Sequence, residues 1–181
     1  HLVINGMSNH KRNEENANSA IVVQVSNKDF GNNIFDGMNF QRHLEEKAYN
    51  IGNGLIPVQK YGNYKNNVVS NNLNIDAFKG KTCCGNLNDI FPDFINESLK
   101  EGIDYFNNKI NGFNSNDAIL AAPEARTSSP VRINRDDEFN SNIKGIYPCG
   151  EGAGFAGGIT TSAMDGLKVF ESIYKKYSGV K

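Results

Sequence analysis

The sequence predicts an α/β fold, α+β when the chain is taken by itself, on three observations. Two long segments repeat apolar residues at helical spacing. Short runs of β-branched residues stand around them, and residues 145–166 read as a strand, a glycine turn and a third helix. With 181 residues the chain can bury a sizeable core, as one domain or two small lobes.

Taken in order, residues 2–4 (Leu-Val-Ile) form a brief strand candidate ended by the turn signal Asn5-Gly6, and residues 8–16 are a polar loop. Residues 20–25, with Ile21, Val22, Val23 and Val25, are the clearest strand of the first half. Phe40, Leu44, Ala48 and Ile51 then recur at helical spacing, with Asp36 near the start and Gly52 to stop the helix. His43 lies beside that stripe and reads as a surface or packing residue. Residues 52–85 show poor periodicity, with only Pro57-Val58 and Val68-Val69 hinting at extended pieces, so a loop-rich connection is expected. Pro92 opens a second helix lined by Ile95, Leu99, Ile103, Phe106 and Ile110 and closed by Gly112. Glu97, Glu101, Asp104 and Lys109 are expected on its solvated face. Short strands are expected over 118–122 and 130–133, a loop over 134–142, and a lobe boundary near Asn116.

Composition narrows the function. The formal net charge is −1 and adjacent basic residues occur only as Lys11-Arg12 and Lys175-Lys176, so no basic stripe suits a nucleic acid. No apolar run approaches the ~20 residues that span a bilayer, so no membrane partner is expected. Cys83 and Cys84 are neighbours and Cys149 stands in the expected late strand, which argues against a disulfide framework and for a reducing compartment, the cytoplasm by default. Two adjacent cysteines with no nearby His do not make a zinc site, so no metal is expected. Asn is the commonest residue and clusters in loops such as 63–74, which reads as compositional bias.

The stretch from Gly145 carries the chemistry. Ile146, Tyr147 and Cys149 suit a buried strand, and Gly150 to Gly158 let the backbone turn with no Cβ in the way of a ligand. From Ile159 the spacing becomes helical, with Ile159, Ala163, Phe170, Ile173, Tyr174 and Tyr177 on one face. A helix starting at glycines offers unpaired N–H groups and the positive end of its dipole to phosphate or another electron-rich group. The string Gly152-x-Gly154-x-x-Gly157 matches the dinucleotide fingerprint, but no second strand with an acidic residue follows, so this is not the first turn of a Rossmann unit.

Gly145-Ile-Tyr-Pro-Cys-Gly-Glu-Gly-Ala-Gly resembles the late second flavin motif of FAD proteins. With Glu124-Ala-Arg-Thr-Ser-Ser-Pro-Val-Arg-Ile133 ahead of it and Asn16-Ala-Asn-Ser-Ala-Ile-Val-Val near the start, nearly the whole chain resembles the uncharacterised FAD-dependent dehydrogenases labelled NAD(FAD)-utilising dehydrogenases. The resemblance implies the C-terminal portion of a two-lobe, Rossmann-like FAD/NAD(P)-binding oxidoreductase, as does a chain that starts at His1. Residues 1–116 would then belong to a substrate or cap lobe and 117–181 to the FAD-binding lobe, with the missing N-terminal portion as partner. FAD is the implied cofactor and NAD(P)H a possible reductant; the fragment alone is expected to be inactive. Residues 52–85 would cover the substrate side or be a plain surface excursion.

The resemblance assigns Gly150, Glu151, Gly152, Ala153, Gly157, Gly158 and Ile159 to the flavin. Glu151 would accept from ribityl or pyrophosphate-side hydroxyls, or else merely cap the turn. The amides of Gly157, Gly158 and Ile159 would reach the isoalloxazine, or the glycines would serve tight packing of helix on strand. Arg126 follows a strand and precedes the small residues Thr127, Ser128 and Ser129, so it faces flavin or substrate, or makes an ordinary ion pair. Arg132 is expected to point to solvent, and no catalytic acid or base is identified. The alternative to an enzyme is a folded structural or FAD-binding module without catalytic activity.

Overall fold

A computed structural model of the chain describes residues 1–13, 16–71, 73 and 78–179; parts of the polar segment 8–16 and of the Asn-rich segment 63–74 therefore lie outside the described residues. The helical segments are α1 (Asn27–Phe30), α2 (Asp36–Gly52), α3 (Tyr61–Lys65), α4 (Asp93–Asn107) and α5 (Ile159–Tyr177), and the strands are β1 (Ile56–Lys60), β2 (Thr82–Cys84) and β3 (Ile119–Ala121). The chain divides into two compact units, residues 1–30 with 39–125, and residues 31–38 with 126–181.

The first unit is a small α+β body around a mixed three-stranded sheet of order β2-β1-β3. β1 runs parallel to β2, with Ile56 opposite Thr82 and Val58 opposite Cys84, and antiparallel to β3, with Val58 opposite Ala121 and Lys60 opposite Ile119. A parallel neighbour requires a long crossover, and residues 61–81 provide it. Leu44 and Ala48 of α2, Tyr61 and Tyr64 of α3, Ile103 of α4, and Leu87, Ile90 and Ala122 form one buried cluster, with Phe40, Ile51 and Leu99 packed against it. The expected helix faces of α2 and α4 are thus the ones that build the core. Phe106 and Ile110, expected on the α4 face, are exposed, because α4 ends at Asn107 and the chain turns away before Gly112 (φ +85°).

Three expectations in this unit are corrected. Residues 52–85 are only in part the loop-rich connection expected: they also hold the central strand β1, the buried α3 and the edge strand β2. Their signal was hidden because β1 is five residues long, contains Pro57 and buries the polar Gln59. Residues 20–25, by contrast, alternate between half-buried and exposed but pair with no strand; side-chain alternation alone does not make a ladder. Residues 2–4 likewise form no strand and are tied down by single bonds, Leu2 N to Glu45 O at 3.1 Å and Ile4 N to Pro123 O at 2.9 Å.

Asp104 is not simply a solvated residue of α4. Its carboxylate accepts from Tyr61 Oη at 2.8 Å, Lys65 Nζ at 2.8 Å and Asn114 Nδ2 at 3.0 Å. The Lys65 hydrogen bond, followed by those from Asn114 and Tyr61, holds its carboxyl down to about 2. Burial in turn pushes the Tyr61 phenol well above its ordinary value, with the Asp104 contact adding to it.

The second unit is built on α5 and the turns before it. The sequence places the start of α5 correctly at the end of the glycine run, with Gly158 as N-cap. The segment 146–149 is not a buried strand: Ile146 and Cys149 are exposed, and no ladder pairs it among the described residues. Residues 130–133 also lack strand pairing. The stripe of Ile159, Ala163, Phe170, Ile173, Tyr174 and Tyr177 does lie on one face of α5, but apart from the half-buried Ile173 that face is exposed, Ile159 to 94% and Phe170 to 60%. α5 packs instead through a more polar face that includes Ser162, Asp165, Gly166, Val169 and Ser172.

A glycine turn held by a buried ion pair

Residues 150–155 fold back on themselves. The Phe155 N–H donates to Gly150 O at 3.0 Å and the Gly154 N–H to Glu151 O at 2.8 Å. Gly150 and Gly154 have φ of +69° and +80°, the region that favours glycine. Gly154 is also demanded by packing, since a Cβ there would sit 2.6 Å from Val131 O and 3.1 Å from Arg132 Cα. The segment 129–133 supports the turn from that side: Ile133 N donates to Ala153 O at 3.1 Å, and the Ser129 hydroxyl reaches Val131 O at 2.8 Å and Gly152 O at 3.2 Å.

Arg135 and Asp165 fasten the turn to α5. The guanidinium meets both carboxylate oxygens, Nη1 to Oδ2 at 2.9 Å and Nη2 to Oδ1 at 2.6 Å, and Nη1 also donates to Pro148 O at 2.7 Å. Asp165 Oδ2 in turn accepts the Gly150 N–H at 2.8 Å. Both side chains are about nine-tenths buried. Arg135 Cζ lies 3.5 Å from the Phe155 ring centroid and Arg132 Cζ 4.4 Å from it, so Arg132 covers this ring and does not simply point to solvent. The Arg135 hydrogen bonds, and after them that from the Gly150 N–H, hold the Asp165 carboxyl down to about 2.

The other glycines have a different character. Gly152 and Gly157 lie outside the positive-φ set, and a Cβ on either would meet nothing within 4 Å. Gly158, extended at φ −124°, has only Thr161 Oγ1 near its Cβ position, at 3.2 Å. The Gly158 N–H donates to Thr161 Oγ1 at 3.1 Å, but a glycine N-cap has no side chain with which to accept from the first-turn amides. One turn further in, the Ser162 hydroxyl is buried and lacks a hydrogen-bond partner among the described residues.

The proposed site residues therefore fall into two sets on one short segment. Gly150 and Ala153 are buried and hold the turn together, whereas Glu151, Gly152, Gly157, Gly158 and Ile159 are exposed around it. Arg126 is exposed in the same unit. Open space at Gly152 and Gly157, uncapped first-turn amides and an orphaned hydroxyl fit a flavin nucleotide's electron-rich groups, which accept backbone N–H donors. Sequence reading missed Arg135 and Asp165. Arg135 sits in the polar run 134–142, which looks like a plain loop. The one signal was Asp165, a carboxylate within the helix on the face that carries Val169.

Comparison with known proteins adds the family. An uncharacterised protein of Clostridium beijerinckii is 48% identical over 182 residues, which is 97% of this chain but 34% of that protein, so the chain spans about a third of the relative it matches. A family model described as FAD-dependent protein, C-terminal domain-like, matches residues 1–127, which include the whole first unit, and stops short of the glycine turn. By that match over more than half its length, the chain belongs to the family of FAD-dependent proteins with this C-terminal-domain-like region.

Proposed function

We propose that the chain is the C-terminal portion of a longer FAD-dependent oxidoreductase and that its glycine turn and α5 start form one wall of the flavin pocket. The observation that carries this reading is the pair Gly152 and Gly157. Neither its backbone angles nor its neighbours require glycine at these positions, and a ligand approaching the backbone gives the reason for it. The family match supports the flavin, and the 34% coverage of the relative supports a larger whole.

In this reading FAD supplies the hydride or electron transfer, with NAD(P)H as reductant. The chain's own part is to hold and orient. The amides of Gly157 and Ile159 face the electron-rich edge of the ligand, Gly158, whose N–H is held by Thr161 Oγ1, leaves open the space beside them, and Glu151 accepts from the ligand's hydroxyls. Gly150, whose N–H is engaged by Asp165, and the buried Ala153 contribute by shaping the turn. Arg126 is assigned to the flavin or substrate side. The first unit serves the substrate or cap lobe and the second the FAD lobe, since a boundary near Asn116 would part β3 from its sheet; the setting is the cytoplasm, with the N-terminal portion of the same protein as partner. The exposed apolar stripe of α5 supports such a partner.

The test is the visible spectrum of the full-length protein, expected to show bound flavin that a reduced nicotinamide bleaches. Gly158→Val should fold, by circular dichroism, yet purify colourless. A well-folded Gly158→Val that keeps its flavin would show that no flavin sits against this helix start. Flavin that is bound but never reduced would favour a module without catalysis.

A further inference from the structure

We infer that Arg135 and Asp165 are positioning residues for the flavin-facing turn: the ion pair aims one carboxylate oxygen at the Gly150 N–H and so sets the path of residues 150–155. The inference rests on the flavin reading above and deepens it by naming what holds the site in shape.

The geometry separates this role from that of an ordinary salt bridge. An ion pair that only joined the 134–142 segment to α5 would need the two carboxylate contacts and nothing else. Here each remaining hydrogen bond of the pair runs to the turn or to the segment leading into it, although the guanidinium also lies 4.6 Å from the ring of Phe139 in its own segment. Arg135 Nη1 holds Pro148 O at 2.7 Å, Asp165 Oδ2 holds Gly150 N at 2.8 Å, and the guanidinium lies against the ring of Phe155 at 3.5 Å. Pro148, Gly150 and Phe155 are the entry, first corner and exit of the turn, and the Phe155 N–H closes it on Gly150 O at 3.0 Å. A planar fork with several fixed donors can hold a carboxylate by both oxygens while serving a carbonyl. Lysine cannot. The pair also occupies the Gly150 N–H, so the donors left to a ligand are those nearer the start of α5.

In the full-length protein, FAD affinity should be measured by flavin fluorescence for wild type, Asp165→Asn, Asp165→Ala, Arg135→Lys and Arg135→Met, at a temperature where each is folded. Asp165→Asn keeps an oxygen for Gly150 while losing the charge, so its affinity should fall between wild type and Asp165→Ala. Asp165→Ala should lose on the order of tenfold or more. Arg135→Lys should not restore wild-type affinity, and the flavin reduction potential should shift in the weak binders. Equal affinity and potential across folded variants, with wild type binding FAD, would overturn the positioning role and leave the flavin reading intact. A wild type that binds no FAD would remove that reading and this role with it. Should Asp165→Ala fail to fold, Asp165→Asn in the 181-residue chain decides through the Gly150 amide proton. We expect an upfield shift and faster exchange than in wild type, and an unchanged resonance would overturn the proposal.

Discussion

Gln59 accepts the backbone N–H of Leu87 through its side-chain oxygen at 2.8 Å, from the middle of β1 and with no exposed surface of its own. Its amide nitrogen donates to Val68 O at 2.8 Å and to Asn86 Oδ1 at 3.2 Å. One side chain thus ties the connection between the two parallel strands, at Val68, to the segment that follows β2, at Asn86 and Leu87. Gln59→Leu keeps the volume but strips buried backbone groups of their partners, so it should cost roughly 1–3 kcal/mol in denaturant unfolding. An unchanged midpoint would mean that the connection is held by something other than Gln59.

Acid should loosen the chain at two places. The carboxyls of Asp104 and Asp165 are held down to about 2 from an ordinary 3.8. A group whose pKa is depressed in the folded state stabilises that state above its unfolded value and loses the contribution as pH falls through the folded one. Stability should therefore be level above about pH 5 and decline between about pH 4 and pH 2, with the decline shallower in Asp104→Asn and in Asp165→Asn. Thermal melts across that range check it; an identical slope in both variants would assign the acid sensitivity to other groups.

Gly154 and Gly157 are three residues apart and should respond oppositely to alanine. Gly154→Ala meets a backbone carbonyl at 2.6 Å and must adopt φ near +80°, which alone costs roughly 1–2 kcal/mol. Gly157→Ala enters open space and should leave the melting of the chain within about 0.5 kcal/mol of wild type. If Gly157→Ala proved as damaging as Gly154→Ala, glycine at 157 would be serving the fold and would no longer speak for a ligand.

These contrasts also show how much was legible in the sequence. α2 and α4 were readable because Leu44 and Ala48, and Leu99 and Ile103, recur with the helix period and face a single core. The start of α5 was readable from the glycine run. β1 was legible only as the hint at Pro57-Val58, because pairing on both sides let a segment containing Pro57 and Gln59 serve as the central strand, and pairing is a property of distant residues. Residues 20–25 failed in the reverse sense, with strand-like composition and no neighbouring ladder. In the site, the glycine turn is local and could be seen. The Arg135–Asp165 pair joins positions 30 residues apart, and no spacing rule connects them.

α5 supplies the sharpest test of the difference between apolar pattern and actual packing, because Val169 and Phe170 are adjacent and lie on different faces. The sequence assigns Phe170 to the main apolar stripe, yet Phe170 is 60% exposed while Val169 is 4% exposed. In the 181-residue chain Phe170→Ala should change stability by no more than about 0.5 kcal/mol, as exposed positions do. Val169→Ala removes buried methyl groups from the packed face and should cost roughly 1–3 kcal/mol despite the smaller side chain. Denaturant midpoints of the two variants, measured side by side, give the order directly. The reverse order would mean that the stripe through Ile159, Phe170 and Tyr174 is covered within the chain and that Val169 is not the residue on which α5 is seated.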